Sequence, residues 1–230
     1  MPTVELSEFK GQYKVIYVDC PWLYEGDPDK DQAAGKHYNM MTIEQLSALE
    51  VKNCLDGHGV VCVWATGPKL DAAIDVIRAW GLHYRGILFN WIKTAKDGHV
   101  IEGQGVRPSH TKSTTELVLV ASTKPKGRTL PIFDEAMGQV VFAPRPGGEH
   151  SAKPDEVRVR IQELWGDVPR LELFARARYD GWDAWGLEAD APMPSALADS
   201  PRLRERLEEY EANQKLRTLV ESLGELPQEV

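Results

Sequence analysis

One short stretch constrains this chain most: an apolar run at residues 15–18, rich in β-branched side chains, that stops at Asp19, Cys20, Pro21 and Trp22. Such a run is typical of a buried parallel strand. Pro21 ends it because proline fixes φ and lacks the backbone donor that a sheet needs. Asp19 is then expected at the carboxyl end of the strand, where open α/β sheets bind their ligands. The stretch alone leaves open an ordinary strand with a turn acid and a core tryptophan.

Strand-like and helix-like patterns alternate along the rest of the chain. We predict further strands at residues 59–66, 84–92, 116–122, 139–143 and 171–174, and helices at residues 43–50, 70–80 and 155–165. Thr42 and Gln45 have the spacing of a capping box, which marks the start of the first helix. The alternation predicts an α/β domain with a parallel sheet.

The domain is expected to occupy residues 1–190, and residues 191–230 have the composition of a linker followed by a charged helix. Leucines recur at near-heptad steps along this tail, so its apolar stripe needs a partner. The tail either packs back on the domain or forms a homodimer contact, and the sequence leaves both open.

Composition excludes several classes of protein. The net charge of −8 argues against a surface that binds nucleic acid everywhere, although a local basic patch remains compatible with it. The three cysteines have no metal-like spacing and no apolar leader opens the chain, so we expect a cytoplasmic protein without a metal site. No apolar run reaches the roughly 20 residues of a membrane helix.

Two long polar loops are candidates for contacting a substrate. The first, residues 23–41, carries His37 and Tyr38, and the second, residues 94–114, follows Lys93 and carries Arg107. Loops of this length in a compact domain are often functional. The plainer interpretations, a surface pair at a helix entrance and a solvated basic loop, stay open.

An acid and a tryptophan at a strand end suit a planar, weakly nucleophilic amine such as the N6 amine of adenine. Asp19 and the carbonyl of Cys20 can accept hydrogen bonds from that amine, and Trp22 can stack on the base. These contacts would position the amine and make its lone pair more available.

The four residues 19–22 resemble the Asp-Pro-Pro-Trp motif of the MT-A70 family of adenine-N6 methyltransferases. Five further segments are similar to family motifs in the same order: His37-Tyr38 with Met40-Met41, the second strand and helix at 64–81, His-Ser-Ala-Lys-Pro-Asp-Glu at 150–156, Leu-Glu-Leu-Phe-Ala-Arg at 171–176, and Gly-Trp-Asp-Ala-Trp-Gly at 181–186. The resemblance runs from about residue 13 to residue 188. The ordered combination is far more specific than any single motif.

The resemblance implies a Rossmann-like, S-adenosylmethionine-dependent methyltransferase fold in which the catalytic motif precedes the cofactor segment. The implied activity is methyl transfer to the N6 amine of adenine in nucleic acid, with DNA favoured over RNA. By resemblance Lys153 pairs with the methionine carboxylate of the cofactor, and Arg176 reaches its ribose or a flanking loop. The residues expected to contact the cofactor are Asp19, Lys153, Glu172, Phe174, Arg176 and Glu188; those expected to contact the acceptor are Trp22, His37, Tyr38, Lys93 and Arg107.

The sequence departs from the family pattern at two positions. Cys20 replaces the first proline of the catalytic motif, and Leu187 stands where the family usually has asparagine. Two rival functions follow from these residues: Cys20 as a nucleophile in cytosine methylation, and a non-catalytic subunit that binds nucleic acid. The catalytic interpretation assigns the chemistry to Asp19, Cys20, Pro21 and Trp22.

Overall fold

The computed structural model describes residues 4–23, 40–101, 103, 110–146, 151–187, 189, 208, 212, 215 and 216. Seven strands and three α-helices follow one another in these parts of the chain: β1 Tyr13–Val18, α1 Ile43–Ser47, β2 Leu55–Ala65, α2 Leu70–Ala79, β3 His83–Thr94, β4 Thr115–Ser122, β5 Val140–Pro144, α3 Glu156–Trp165, β6 Arg170–Leu173 and β7 Asp183–Trp185. The α/β class that the alternating patterns predict is confirmed.

The strands form one sheet in the order β5-β3-β4-β2-β1-β6-β7. Neighbouring strands are parallel except where β4 pairs with β2 and β3, to both of which it is antiparallel. The prediction of a parallel sheet is therefore wrong for β4. A parallel connection needs a crossover, usually a helix, and no element intervenes in the described parts of the chain between β3 and β4. The chain therefore returns antiparallel.

Helices cover both faces of the sheet, which explains the continuous apolar run in β1. Ile16 and Val18 belong to an apolar cluster that contains buried residues of α1 and α2. Val15 and Tyr17 point the other way, into a cluster that contains the apolar side of α3. Strands buried on both faces read as unbroken hydrophobic segments rather than as alternating ones.

The start of α1 is fixed by the predicted capping box. The hydroxyl of Thr42 accepts a hydrogen bond from the backbone N–H of Gln45 at 3.2 Å, and the Gln45 side chain accepts one from the backbone N–H of Thr42 at 2.9 Å. Two amides that a helix start leaves unpaired are thereby satisfied.

The tail is helical wherever it is described, at Glu208, Ala212, Lys215 and Leu216. Leu216, a member of its apolar stripe, is 58% exposed. None of the helices in the described ranges is both long and apolar enough to cross a membrane.

Candidate active site

One edge of the sheet collects most of the residues that the sequence singles out. Asp19 directly follows β1, Lys93 lies near the carboxyl end of β3, and Glu116 is the second residue of β4. Because β4 runs against its neighbours, its first residues meet the last residues of β2 and β3. The carboxylates of Asp19 and Glu116 thus share this strand-end edge.

Lys153 joins the two carboxylates. Its Nζ lies 3.0 Å from Oδ2 of Asp19 and 3.4 Å from Oε2 of Glu116, with the lysine side chain only 7% exposed. Burial alone favours the neutral amine, but Asp19 and Glu116 outweigh it and raise the pKa of Lys153. The buried group is therefore an ammonium at neutral pH.

Ser151 completes the surroundings of this ammonium. Lys153 Nζ donates to the carbonyl oxygen of Ser151 at 3.0 Å and to its hydroxyl at 3.1 Å. Ser151 has φ of 65°, in the left-handed region that non-glycine residues seldom occupy. Its backbone is thus held in an uncommon conformation beside the lysine that it binds.

The charges continue outward from Glu116. Lys93 Nζ lies 2.6 Å from Oε1 of Glu116, so positive and negative groups alternate from Lys93 to Asp19. The two ammonium groups also lie over tryptophan rings, Lys93 at 5.2 Å from the centre of Trp91 and Lys153 at 5.5 Å from that of Trp64. We call Lys93, Glu116, Lys153 and Asp19 the charge chain.

Glu116 is the member of the charge chain that the sequence did not place in the site. The available signal was its position at the head of a strand, facing the same long loop that follows Lys93. Two adjacent strands joined by that loop bring their loop-proximal residues together, which pairs the acid with the lysine.

The Asp-Cys-Pro-Trp segment turns tightly after β1. The carbonyl of Cys20 accepts a hydrogen bond from the backbone N–H of Trp22 at 2.9 Å, and that of Pro21 accepts one from Met41 at 2.8 Å. Trp22 is only 6% exposed and belongs to the α1–α2 side of the core. Its indole N–H has no hydrogen-bond partner among the described residues. Asp19, by contrast, keeps a quarter of its side chain accessible.

The thiol of Cys20 is unsuited to nucleophilic chemistry. Burial, and then the neighbouring carboxylate of Asp19, raise its pKa well above the usual range. A reactive cysteine needs the opposite shift, since the thiolate is the nucleophile. The burial of Cys20 therefore argues against the cytosine-methylation alternative.

The end of β6 forms the other side of this edge. Phe174 follows the strand with φ of 59°, and its ring meets Trp185 edge-on at 5.4 Å between centroids. A Cβ on Gly186 would lie 2.3 Å from the carbonyl oxygen of Ala175, so the closing glycine of the motif is required by close backbone packing. Aromatic contact and glycine together hold Phe174 in its unusual backbone conformation.

Two charged residues of the β6 segment have distinct surroundings. Glu172 is buried, and both of its carboxylate oxygens bind Arg158 of α3, at 2.7 and 2.6 Å. Arg176 lies near enough to Lys153 for its positive charge to oppose the upward shift of the lysine pKa. Arg158 is a second buried charge that the sequence did not single out.

The structure thus brings Asp19, Lys153, Lys93 and Arg176 to one edge, with Phe174 and Glu172 at the end of β6. Four predicted residues lie outside the described parts of the chain: His37, Tyr38, Arg107 and Glu188. Cys20, Cys54 and Cys62 are free and buried. No group of three metal-ligating side chains is found in the described ranges.

The sequence model of the MT-A70 family matches residues 13–188, which include every motif that forms this edge. The chain belongs to the MT-A70 family. A bacterial relative, the type II methyltransferase M.MunI of Mycoplasma sp, is 30% identical over 195 residues, which are 77% of this chain and 78% of that protein.

Two eukaryotic relatives match a similar share of the chain. The N6-methyladenosine RNA methyltransferase MTA1 of Pyricularia oryzae is 28% identical over 187 residues, and a probable N(6)-adenosine-methyltransferase MT-A70-like protein of Oryza sativa is 28% identical over 180 residues. In both cases the match covers 76% of this chain, but only 46% and 23% of the respective relatives.

Proposed function

We propose that this member of the MT-A70 family transfers a methyl group from S-adenosylmethionine to the N6 amine of adenine in DNA. The observation that carries the proposal is the carboxylate of Asp19 at the strand-end edge, held through Oδ2 by the buried ammonium of Lys153. Family membership and the likeness to M.MunI support the reaction class.

Asp19 is the proposed catalytic acceptor. Lys153 holds Oδ2, and Oδ1 can accept a hydrogen bond from the adenine amine. The carbonyl of Cys20 has a second lone pair beyond the one used by Trp22 and can accept the other amine hydrogen. Positioning of this kind aligns a weak nucleophile without a strong base.

The charges at the edge fit the cofactor. S-adenosylmethionine carries a sulfonium, an ammonium and a carboxylate, and the edge offers carboxylates and cationic side chains in alternation. When bound, the cofactor supplies an electrophilic methyl group. We propose Asp19, Lys153, Arg176 and Glu188 as its polar contacts, and Glu172 with Phe174 as the wall of its cleft.

The proposed contact of Lys153 with the cofactor carboxylate requires an exchange of partners. An ammonium has three donor hydrogens, and Lys153 already lies within 3.4 Å of four oxygens. Glu116 is the most distant of these acceptors and retains Lys93 as a partner. Its contact with Lys153 is therefore the one we expect to be given up.

The acceptor side of the site is proposed to comprise Trp22, His37, Tyr38, Lys93 and Arg107. Stacking of Trp22 on the base requires the segment around it to open when substrate binds, because the ring is only 6% exposed. Lys93 keeps a fifth of its side chain accessible and can meet a phosphate while it holds Glu116.

DNA is proposed as the acceptor because the match to the bacterial type II methyltransferase extends over most of both chains. The eukaryotic relatives match over less than half of their own length, and RNA is the alternative substrate. We further propose a cytoplasmic enzyme, consistent with three free cysteines, and a homodimer through the tail, whose Leu216 is largely exposed.

The purified chain should be offered methyl-labelled S-adenosylmethionine with equal amounts of unmethylated duplex DNA, single-stranded DNA and RNA, followed by separation of the nucleosides. Label in N6-methyldeoxyadenosine supports the proposal. Label in N6-methyladenosine of RNA shows that the acceptor is RNA rather than DNA and supports the proposed methyl transfer to N6. Absence of transfer together with absence of cofactor binding overturns it in favour of a non-catalytic binding subunit.

A further inference from the structure

Arg158 is a buried cation on the inner side of α3. Its side chain is 10% exposed and forms a two-pronged ion pair with Glu172, in which Nε donates to Oε2 at 2.7 Å and Nη2 donates to Oε1 at 2.6 Å. Its third nitrogen, Nη1, donates to Oδ1 of Asp155. The guanidinium thus joins α3 and the residue that precedes it to β6 through three charge-assisted hydrogen bonds.

Two aromatic rings enclose the same guanidinium. Its central carbon lies 3.8 Å from the ring centre of Tyr179, which follows β6, and 5.3 Å from that of Tyr17 in β1. Tyr17 precedes Asp19 by two residues. Arg158 therefore contacts β1, β6, the segment after β6 and the start of α3 at one point.

Each carboxylate that Arg158 binds lies two residues from a residue proposed to contact the cofactor, and Glu172 is also itself proposed to line the cleft. Asp155 follows Lys153 by two residues, and Glu172 precedes Phe174 by two residues. The guanidinium consequently fixes the distance between the segment that carries Lys153 and the end of β6. These are the two sides of the proposed cofactor cleft.

Stability alone is a weak reason for such an arrangement, since a buried ion pair often contributes less than apolar residues of the same volume. Arg158 is better suited to orienting α3 relative to β6, because the planar guanidinium of arginine binds a carboxylate in one geometry. Lysine carries the same charge but lacks this planar group.

We propose that Arg158 is a positioning residue that sets the width of the cofactor cleft between the Lys153 segment and the end of β6. This inference rests on the proposed function. Arg158 affects the affinity for the cofactor, and its replacement leaves the rate of methyl transfer at saturating cofactor nearly unchanged.

The test uses the full chain with Arg158→Lys and measures the Kd of S-adenosylhomocysteine by isothermal titration calorimetry. We expect this Kd to rise about 10-fold, the lower end of the effect of removing groups that orient metal ligands. The KM for S-adenosylmethionine should rise in parallel, with kcat within about threefold of the parent chain.

Arg160→Lys is the matched control. Arg160 lies on the same helix, pairs with Glu156 at 2.9 Å, and donates to the carbonyls of Gly138 and Val140 at the amino end of β5, away from the strand-end edge. Its replacement should leave the Kd of S-adenosylhomocysteine unchanged.

A double variant, Arg158→Met with Glu172→Gln, guards against misfolding because it removes both members of the buried Arg158–Glu172 ion pair together. It should melt cooperatively and still bind S-adenosylhomocysteine weakly. If the parent chain binds S-adenosylhomocysteine and either variant has the same Kd, the positioning role of Arg158 is overturned while the proposed function stands. Failure of the parent chain itself to bind overturns the proposed function and this inference with it.

Discussion

Replacing Lys153 with methionine removes the central cation of the charge chain while keeping most of the side-chain volume. The ammonium is 7% exposed and lies between the carboxylates of Asp19 and Glu116. Both carboxylates then lose a partner in a site that water reaches poorly.

Removing one partner of a buried ion pair typically lowers the free energy of unfolding by about 3–5 kcal/mol. We expect about 3 kcal/mol, the lower end, because Glu116 keeps Lys93 at 2.6 Å and Asp19 keeps a quarter of its side chain in water. For a chain of 150–250 residues each kcal/mol lowers Tm by about 2–4 °C, so Tm should fall by about 6–12 °C.

The stabilisation contributed by Lys153 should be lost at high pH. The folded-state pKa of Lys153 is raised, so its contribution is fully present below the pKa of lysine in the unfolded chain, about 10.4. That contribution is lost as the pH rises through the raised folded-state value. The stability difference between parent and Lys153→Met should therefore be constant from pH 7 to pH 9 and shrink above pH 10.

Thermal melts and urea titrations of both proteins measure this difference. Lys14→Met is the control: Lys14 pairs with Asp56 at 2.8 Å, but the side chains are 31% and 59% exposed. An exposed pair contributes less than about 1 kcal/mol. The reasoning is refuted if Lys153→Met melts within 2 °C of the Lys14→Met protein.

Three further perturbations test other parts of the account. Gly186→Ala should cost about 1–3 kcal/mol, read from the urea midpoint, because its Cβ would lie 2.3 Å from a backbone oxygen; an unchanged midpoint contradicts this packing. Thr42→Ala should cost about 1 kcal/mol through loss of the cap, and a matching loss of methyl transfer at saturating substrates would contradict a purely structural role. Since the pKa of Cys20 is raised, iodoacetamide should not modify this thiol in the folded protein at pH 8, as measured by mass spectrometry. Rapid modification would support Cys20 as a nucleophile.

Features that depend on local sequence were predicted well. The capping box at Thr42 and the strand that ends before Asp19 need only residues close in the chain. The direction of β4 was predicted wrongly, because it depends on the connection that the chain takes after β3. The three-residue strand β7 is too short for its side chains to show a period, and it forms only by pairing with β6.

In the site, too, single residues were predicted from local sequence, whereas contacts between distant segments were not. Asp19 and Lys153 were both singled out, but their mutual ion pair was not, since it joins segments more than 130 residues apart in the chain. Arg158 was missed because a charged residue inside an apolar periodic segment normally indicates an exposed face, and Glu116 was missed because its partners Lys93 and Lys153 lie on other segments of the chain. Here each faces the interior, where a partner of opposite charge compensates for its burial.

The most direct test of the central claim compares the parent chain with Asp19→Ala for two quantities: methyl transfer to adenine N6 and binding of S-adenosylhomocysteine. Asp56→Ala, at an exposed acid outside the site, serves as control. The account predicts that Asp19→Ala loses transfer at least about 100-fold while the Kd rises much less, because Asp19 is only one of the four proposed polar contacts of the cofactor. Transfer by Asp19→Ala at the rate of the Asp56→Ala control would contradict it.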